Sequence, residues 1–258
     1  MVKVSPLAVV EKGAELDEGV VIEPFAYIGS KVKVGKGTVI KKGAVIEGDT
    51  TIGENCIIYG ATIGVAPQDL KYKGEESKVI IGNNTTVREY VTIHRGTEGG
   101  GLITKVGDNV LLMAYSHVAH DVIIGNNVIV ANTVQIAGHV EIDDYAIIGG
   151  LTGIHQFVRI GKHAMVGGAS AVHRDVPPFT VAQGNRAKLE GINIIGLKRR
   201  GFQRDTIKNL TTVFEMVFKT DEPLQISLKR VEEEFGDIPE VKEFVSFIRN
   251  SKRGICPA

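Results

Sequence analysis

The residues most suited to acid–base chemistry in this sequence are histidines, and they are concentrated in one part of the chain. Five of the seven histidines lie between residues 117 and 163. His120 is followed at once by Asp121, and Gly138 comes later in the chain, directly before His139. An imidazole titrates near neutral pH and can accept a proton from a hydroxyl group, and a neighbouring carboxylate can fix its orientation. The concentration of imidazoles therefore favours acid–base chemistry in this part of the chain.

Two other interpretations of these histidines are open at this point. Three imidazoles with a free coordination position would suit a metal centre. However, the spacing of His117 and His120 differs from helical ligand spacing, and no cysteine assists. The histidines could also be ordinary surface residues. A column of His120, His139 and His155, with Gly138 interleaved, favours instead proton transfer and hydrogen bonding to a polyhydroxylated substrate.

A six-residue repeat supplies the element that brings His120 and Gly138 together. Every sixth residue from Val4 to Ile58, from 81 to 93 and from 106 to 172 is Leu, Ile or Val, which gives 25 aliphatic residues in 25 hexads. Short aliphatic segments with frequent Gly or Asn are typical of strands joined by tight turns. Three hexads make one triangular coil, coils stack about 4.8 Å apart, and residues three hexads apart become neighbours. The pattern predicts a parallel β-helix of hexapeptide type.

The repeat is interrupted twice and ends before the C-terminus. We expect insertions at about 64–80 and 97–105, and insertions in solenoids often carry the binding face. The repeat stops near the Pro177–Pro178 pair, and apolar residues then recur at helical spacing. The predicted helices are 206–219, 224–235 and 241–252. We therefore expect an all-β solenoid over 1–185 and an α-helical C-terminal domain over 186–258.

The composition excludes several classes of protein. Lys+Arg and Asp+Glu both number 30, so a nucleic-acid binder is not expected. Two cysteines, Cys56 and Cys256, cannot form a disulfide framework, which favours a reducing compartment. The apolar run near the N-terminus is too short for a signal peptide, and no apolar segment is long enough to span a membrane. We expect a cytoplasmic protein without membrane insertion.

Eight motifs occur in order along nearly the whole chain: PQDLKY (67–72), VTIHRGT (91–97), SHVAHD (116–121), AGHVEIDD (137–144), HQF (155–157), MVGGAS (165–170), VPPF…AQGN (176–185) and GLKRRGF (196–202). Together they resemble the motifs of the UDP-N-acetylglucosamine acyltransferases. The resemblance implies a homotrimer of left-handed β-helices and the first step of lipid A biosynthesis. In that step an acyl carrier protein thioester donates an (R)-3-hydroxyacyl chain to the 3-position of UDP-N-acetylglucosamine. It implies neither a cofactor nor a metal.

The resemblance also assigns roles to individual residues. His120 matches the general base, Asp121 its orienting partner, and the backbone N–H of Gly138 the oxyanion donor. No Ser or Cys motif for a covalent acyl-enzyme is visible, so direct attack in a ternary complex is expected. The residues that match substrate contacts or support the site are Gln68, Asp69, Lys71, Tyr72, His94, His117, His139, His155, Gln156, Asn193 and Arg200.

Two further sets of residues match by resemblance. Gly168 matches the position that sets acyl-chain length, where a glycine favours a longer chain. Lys198, Arg199 and Arg204 form with Arg200 a basic cluster suited to docking an acidic carrier protein.

Several alternatives to O-acyl transfer stay open. Ile195 stands where well-known members carry an acidic residue, which leaves a 3-amino UDP-sugar possible as the acceptor. The related UDP-3-O-acylglucosamine N-acyltransferase usually has an extra N-terminal domain, for which hexads beginning at Val4 leave no room. Two further alternatives are a hexapeptide metalloenzyme of carbonic-anhydrase type and a non-catalytic β-helix.

Overall fold

The computed structural model describes residues 1–258 and consists of a three-sided prism followed by four helices. Face 1 contains Lys3–Val4, Val21–Ile22, Val39–Ile40, Ile57–Ile58, Thr86–Val87, Leu111–Leu112, Ile129–Val130, Ile147–Ile148, Met165–Val166, Thr180–Gln183 and Lys188–Ile192. Face 2 contains Val9–Val10, Tyr27–Ile28, Val45–Ile46, Thr62–Val65, Thr92–His94, His117–Val118, Gln135–Ile136, Gly153–Ile154 and Ala171–Val172. Face 3 contains Glu15–Leu16, Lys33–Val34, Asp49–Ile52, Lys78–Ile81, Ile103–Val106, Ile123–Ile124, Glu141–Ile142 and Arg159–Ile160.

The register of these strands follows the six-residue repeat. On face 2, Val118 pairs with Ile136 and Ile136 with Ile154, so each coil advances by three hexads. The repeated aliphatic residues point into the prism and are almost completely buried from Ile22 onwards, whereas Val4 at the open end is 45% exposed. The predicted fold class, a left-handed parallel β-helix with a helical C-terminal region, is confirmed.

Each coil turns at corners where one residue adopts a left-handed backbone. The first corner, between faces 2 and 3, stacks Asp121, His139 and Phe157 at φ of 59°, 60° and 63°. The second corner, between faces 3 and 1, stacks Asn127, Tyr145 and His163 at φ of 58°, 63° and 58°. Residues other than glycine adopt this conformation infrequently, and here the hydrogen bonds of the stacked coils impose it.

Two segments leave the prism. Strands Thr62–Val65 and Lys78–Ile81 bracket the first insertion, residues 66–77. Strands Thr92–His94 and Ile103–Val106 bracket the second insertion, residues 95–102. The first insertion is shorter than the span expected from the repeat, because the residues at its edges pair with adjacent coils: Val65 pairs with His94, and Lys78 with Asp49. The second begins and ends earlier than expected, because Ile103 already pairs with Lys78.

The C-terminal region covers the end of the prism. The strands Thr180–Gln183 and Lys188–Ile192 form an antiparallel pair. Four helices follow: α1 Ile194–Arg199, α2 Arg204–Phe218, α3 Leu224–Phe235 and α4 Pro239–Arg249.

The last three helices were predicted from periodicity, and α4 begins earlier because proline is favoured in the first turn. Their apolar faces bury Leu210, Phe214 and Phe244. None of the four helices has the length and apolar character that crossing a bilayer requires.

Candidate active site

His120 and Asp121 form a buried pair where face 2 meets the first corner. The Nδ1 atom of His120 lies 2.8 Å from Oδ2 of Asp121. The carboxylate has no solvent exposure, and the imidazole side chain is 10% exposed. A carboxylate accepts hydrogen bonds, so this contact places a proton on Nδ1 and leaves the lone pair on Nε2. The pair therefore has the form of an oriented general base.

Gly138 lies one coil above His120 and contacts its ring. A Cβ atom at Gly138 would lie 2.6 Å from Cε1 and 2.7 Å from Nε2 of His120, so only glycine fits beside the unmoved imidazole. The backbone N–H of Gly138 donates no hydrogen bond to any group of the chain. An unpaired amide thus lies next to the basic nitrogen, as an oxyanion donor requires.

A cleft of about 810 Å³ runs along face 2 past this pair. Of the predicted site residues it brings together Gln68, His94, His117, His120, Gly138, His155 and Gln156. Ala119, Ala137, Gly153 and Ala171 also line the cleft, and its lining contains no carboxylate. The cleft can therefore accept an anionic or apolar substrate without charge repulsion.

Sequence reasoning missed several residues that line the cleft. His173 is one, although it follows His155 by one coil and the repeat could have found it. Arg186 and Arg253 also line the cleft. They belong to segments without the repeat, and no sequence signal pointed to them.

Two other histidines that line the cleft, His94 and His117, are held in the neutral form. Burial lowers the pKa of His94 to about 4, and the nearby imidazoles of His117 and His120 contribute. Burial, with a smaller contribution from His120, also lowers the pKa of His117. Thr92 Oγ1 lies 2.7 Å from Nδ1 of His117, and the rings of His94 and His117 meet edge to face with centroids 4.7 Å apart. At neutral pH both therefore act through hydrogen bonds.

His139 lies outside the cleft, in contrast to the single column expected from the repeat. Its ring stacks on Phe157 with centroids 4.4 Å apart and meets His120 edge to face at 5.0 Å. It borders a separate depression of about 550 Å³ together with Asp69, Lys71 and Tyr72. The predicted sugar-binding residues are thus divided between the two sides of the His120–Asp121 pair.

The first insertion is held in place by Arg95. Its Nε and Nη2 atoms donate to Tyr72 Oη at 2.9 and 2.7 Å, and its Nη1 donates to the carbonyl of Gly64 at 3.1 Å. The backbone N–H of Lys71 donates to Asp69 Oδ1 at 2.9 Å. The segment that carries Gln68, Asp69 and Lys71 is therefore fixed to the prism.

Asn193 and Arg200 lie at the second corner, away from the cleft. Asn193 accepts from Gly196 N at 3.1 Å at the start of α1 and donates to His163 O at 3.0 Å. The Arg200 guanidinium lies 4.3 Å from the centre of the Tyr145 ring.

The remaining predicted residues are also outside the cleft. Lys198 and Arg204 line a hollow of about 390 Å³ beside α1 and α2, and Arg199 is exposed. Gly168 is exposed next to another corner, where an added Cβ would lie 3.2 Å from the carbonyl oxygen of Gly150.

A metal ion is a further possibility that the site geometry tests. His120, Asp121 and His139 offer ligand atoms within 4.8 Å of one another. However, Asp121 Oδ1 accepts from Thr97 N at 2.9 Å, and Oδ2 accepts from Thr97 Oγ1 at 2.6 Å as well as from His120. Two of the three candidate ligands, His120 and Asp121, thus bind each other through the 2.8 Å contact, so the arrangement fits an orienting carboxylate better than a metal centre.

Comparisons with known proteins agree with the resemblance in the motifs. A family model described as UDP N-acetylglucosamine O-acyltransferase, domain 2, matches residues 175–256, and a bacterial transferase hexapeptide model matches 31–64 and 103–138. The acyl-(acyl-carrier-protein)–UDP-N-acetylglucosamine O-acyltransferase of Thermodesulfovibrio yellowstonii is 50% identical over 257 residues, covering 99% of this chain and 100% of that protein. The same-named protein of a Sulfurihydrogenibium species is 55% identical, covering 100% and 95%.

A solved structure gives the same result. UDP-N-acetylglucosamine acyltransferase from Campylobacter jejuni superposes with a TM-score of 0.94 at 44% identity, covering 99% of this chain and 100% of that one. Identity at this level over the full length of the relatives shows common membership, and the chain therefore belongs to the UDP-N-acetylglucosamine O-acyltransferase family.

Proposed function

We propose that this protein transfers an (R)-3-hydroxyacyl chain from acyl carrier protein to the 3-hydroxyl of UDP-N-acetylglucosamine, the first step of lipid A biosynthesis, in the cytoplasm. The names of its relatives support the acceptor and the donor. The mechanism depends on one observation: His120, held by the 2.8 Å contact with Asp121, lies next to Gly138, whose backbone amide is unpaired.

Proton transfer and attack take place in one ternary complex in this proposal. Nε2 of His120 accepts the proton of the sugar 3-hydroxyl as its oxygen attacks the thioester carbonyl carbon. Asp121 keeps Nδ1 as the protonated nitrogen and stabilises the imidazolium that forms. When the tetrahedral intermediate collapses, the C–S bond breaks, and the thiolate leaves and takes the proton from Nε2. A positioned base of this kind contributes about 10²–10⁴ in rate.

The amide of Gly138 stabilises the intermediate. Negative charge develops on the carbonyl oxygen during attack, and a fixed backbone N–H in a partly enclosed site stabilises that charge. The glycine also leaves the approach to the His120 ring free of a side chain. No covalent acyl-enzyme takes part.

The remaining predicted residues bind the substrates in this proposal. Asp69 and Lys71, which border the depression beside His139, contact the sugar and the donor or phosphate, and Gln68 and Gln156 contact the substrates from the cleft. Asn193 and Arg200 lie at the second corner of the same chain. They reach the nucleotide only if another subunit supplies them, which supports a homotrimer with its sites between prisms. A guanidinium already stacked on Tyr145 is well placed to bind a diphosphate.

Direct assay of acyl transfer tests the proposal. The purified protein is supplied with 3-hydroxyacyl carrier protein thioesters of several chain lengths and with either UDP-N-acetylglucosamine or its 3-amino analogue. We expect ester formation on the 3-hydroxyl, with longer chains preferred because Gly168 lacks a side chain. Exclusive use of the 3-amino sugar would contradict O-acylation and show that the protein is an N-acyltransferase.

The His120→Ala variant tests the mechanism. We expect turnover to fall by at least about 10²-fold with an unchanged circular dichroism spectrum. Retention of full activity would refute the general base, and a stoichiometric metal whose removal abolishes turnover would favour the metalloenzyme.

A further inference from the structure

The second insertion is folded around the carboxylate of Asp121. Thr97 supplies two of the hydrogen bonds to that carboxylate, from its backbone N–H at 2.9 Å and from its hydroxyl at 2.6 Å. Thr97 is itself 5% exposed. The backbone N–H of Asp121 donates to Thr104 Oγ1 at 2.8 Å, in the strand that follows the insertion. Apart from the contact with His120, the hydrogen bonds of the Asp121 carboxylate and N–H therefore all involve the insertion or its exit strand.

Two glycines allow this close approach. A Cβ at Gly96 would lie 2.8 Å from Asp121 Oδ1, and a Cβ at Gly100 would collide with the Asp121 carboxyl group. Neither residue has a positive φ that would demand glycine. The small size of Gly96 and Gly100 is thus required by their proximity to Asp121 and the chain beside it, because the backbone conformation alone would accept a side chain.

The same insertion is braced against the segment that carries Asp69 and Lys71. The backbone N–H of Glu98 donates to Glu75 Oε1 at 3.2 Å, and Arg95 binds the hydroxyl of Tyr72. The second insertion therefore contacts both the Asp121 carboxylate and the first insertion, and it holds the two in a fixed relative position.

We propose that Thr97 is a positioning residue for the reaction, acting through Asp121 on His120. This inference depends on the proposed function, since it assumes that the His120–Asp121 pair is the base. Oδ2 accepts from Thr97 Oγ1 and His120 Nδ1 together. The hydroxyl therefore fixes the carboxylate rotation that directs Nε2 of His120 into the cleft. It also draws charge from the oxygen that faces the imidazole.

Other titratable groups surround the pair, and none of them is hydrogen-bonded to Thr97, whose side chain binds only Asp121. His139 Nδ1 lies 3.9 Å from Asp121 Oδ2, and its ring meets that of His120 edge to face. His94 and His117 face His120 from the cleft, and burial lowers the pKa of both. A change in pH dependence on removal of the Thr97 hydroxyl therefore reports on the Asp121 carboxylate.

The test compares three variants. Thr97→Val removes the hydroxyl at nearly constant size, and Thr97→Ser retains it. Thr85→Val is the matched control, because Thr85 is another buried threonine, whose hydroxyl donates to Gly107 O at 2.9 Å and accepts from Val110 N at 3.1 Å without lining the cleft. The kcat, the KM for UDP-N-acetylglucosamine, the pH–rate profile and the Tm are measured for each.

We expect Thr97→Val to lower kcat by about tenfold or more while KM changes less than twofold, because a misdirected base affects the chemical step. We also expect the acid limb of its pH–rate profile to move to higher pH, because the full carboxylate charge then stabilises the imidazolium. Thr97→Ser should restore both, and Thr85→Val should lower only the Tm. If Thr97→Val does not fold, Thr97→Ala removes the same hydroxyl with less crowding.

Two results would overturn the inference. In the first, Thr97→Val keeps the wild-type rate and profile. In the second, Thr97→Val, Thr97→Ser and Thr85→Val lose activity in proportion to their loss of Tm, which is the behaviour of a purely structural threonine. A parallel measurement on His120→Ala distinguishes failure of the Thr97 inference from failure of the proposed mechanism. Inactive His120→Ala with fully active Thr97→Val rejects only the role of Thr97, whereas active His120→Ala rejects the proposed mechanism as well.

Discussion

The first and second corners of the prism have the same backbone but different chemistry. Each stacks an Asp or Asn and two ring-bearing residues at intervals of one coil, with φ near 60° throughout. Each contains a parallel histidine stack, His139 on Phe157 at 4.4 Å in the first corner and Tyr145 on His163 at 4.7 Å in the second. The repeat therefore provides equivalent positions at both corners.

The segments outside the repeat make the corners different. The second insertion supplies Thr97 to the first corner, where it donates a hydrogen bond to the Asp121 carboxylate next to an imidazole that lines the cleft. The second corner is covered by the C-terminal region, whose Phe202 meets His163 edge to face at 5.0 Å. Burial there lowers the pKa of His163 to about 4 and leaves its Nδ1 without a partner. The second corner carries Asn126 and Asn127 where the first carries His120 and Asp121, so the corner residues and the segments that cover them together determine the chemistry of each corner.

Converting the first corner into the second should have the largest effect. Asp121→Asn places at the first corner the residue type that begins the second, and asparagine tolerates the left-handed backbone. The charge that stabilises the imidazolium is lost, so we expect kcat to fall by about 10²-fold or more with little change in Tm. The reciprocal Asn127→Asp variant is the control and should retain wild-type turnover. Equal turnover of Asp121→Asn and Asn127→Asp would show that the reaction does not require a carboxylate specifically at the first corner.

Disturbing the enclosure of Asp121 should have the next largest effect. The methyl group in Gly100→Ala must displace the Asp121 carboxyl group, and displacement of a catalytic group by about 1 Å can cost 10²-fold in rate. At the adjacent Gly99 an added Cβ would meet nothing within 4 Å, so Gly99→Ala should be close to wild type. Steady-state kinetics compare the two variants. Equal kcat values for Gly100→Ala and Gly99→Ala would contradict the conclusion that close packing at Gly100 holds the Asp121 carboxylate in position.

The second corner should instead show a pH-dependent stability. His163 has a folded pKa of about 4 against an ordinary value of 6.5, so the unfolded chain binds the proton more readily. The free energy of unfolding is unaffected by this group above pH 6.5 and decreases as the pH falls towards 4, by about 2 to 3 kcal/mol. His163→Phe removes that decrease, which urea unfolding at pH 7 and pH 4.5 would detect. An identical pH dependence in the variant and the wild type would contradict burial as the cause.

Loosening the contact between the two insertions should have the smallest effect. Tyr72→Phe removes the oxygen that accepts from Arg95 Nε and Nη2 and donates to Glu75 O at 3.1 Å. A hydrogen bond to a charged group contributes on the order of 1 to 2 kcal/mol, so we expect the KM for the UDP-sugar to rise several-fold. The kcat should change less, because Thr97 still holds Asp121. A large loss of kcat at constant KM would assign Tyr72 to the chemical step.

Much of the fold and part of the site could be predicted from the repeat. The spacing of His120 and Gly138 predicted their contact correctly, because each coil advances by three hexads and parallel pairing keeps the register. His155 was correctly expected on the same face, and His173 above it could have been found by the same step. His139 was expected in that column, but the corner directs its side chain to a separate depression.

The sequence by itself determined the coil, the stacking of the cleft residues and the adjacency of His120 to Asp121, because a fixed period converts distance along the chain into distance in space. Only the tertiary structure decided that Thr97 encloses Asp121, that Arg186 and Arg253 line the cleft, and that Asn193 and Arg200 lie at the second corner. These residues belong to insertions and to the C-terminal region. Such segments have no period, so their neighbours are set by packing against the finished prism and cannot be counted from the sequence.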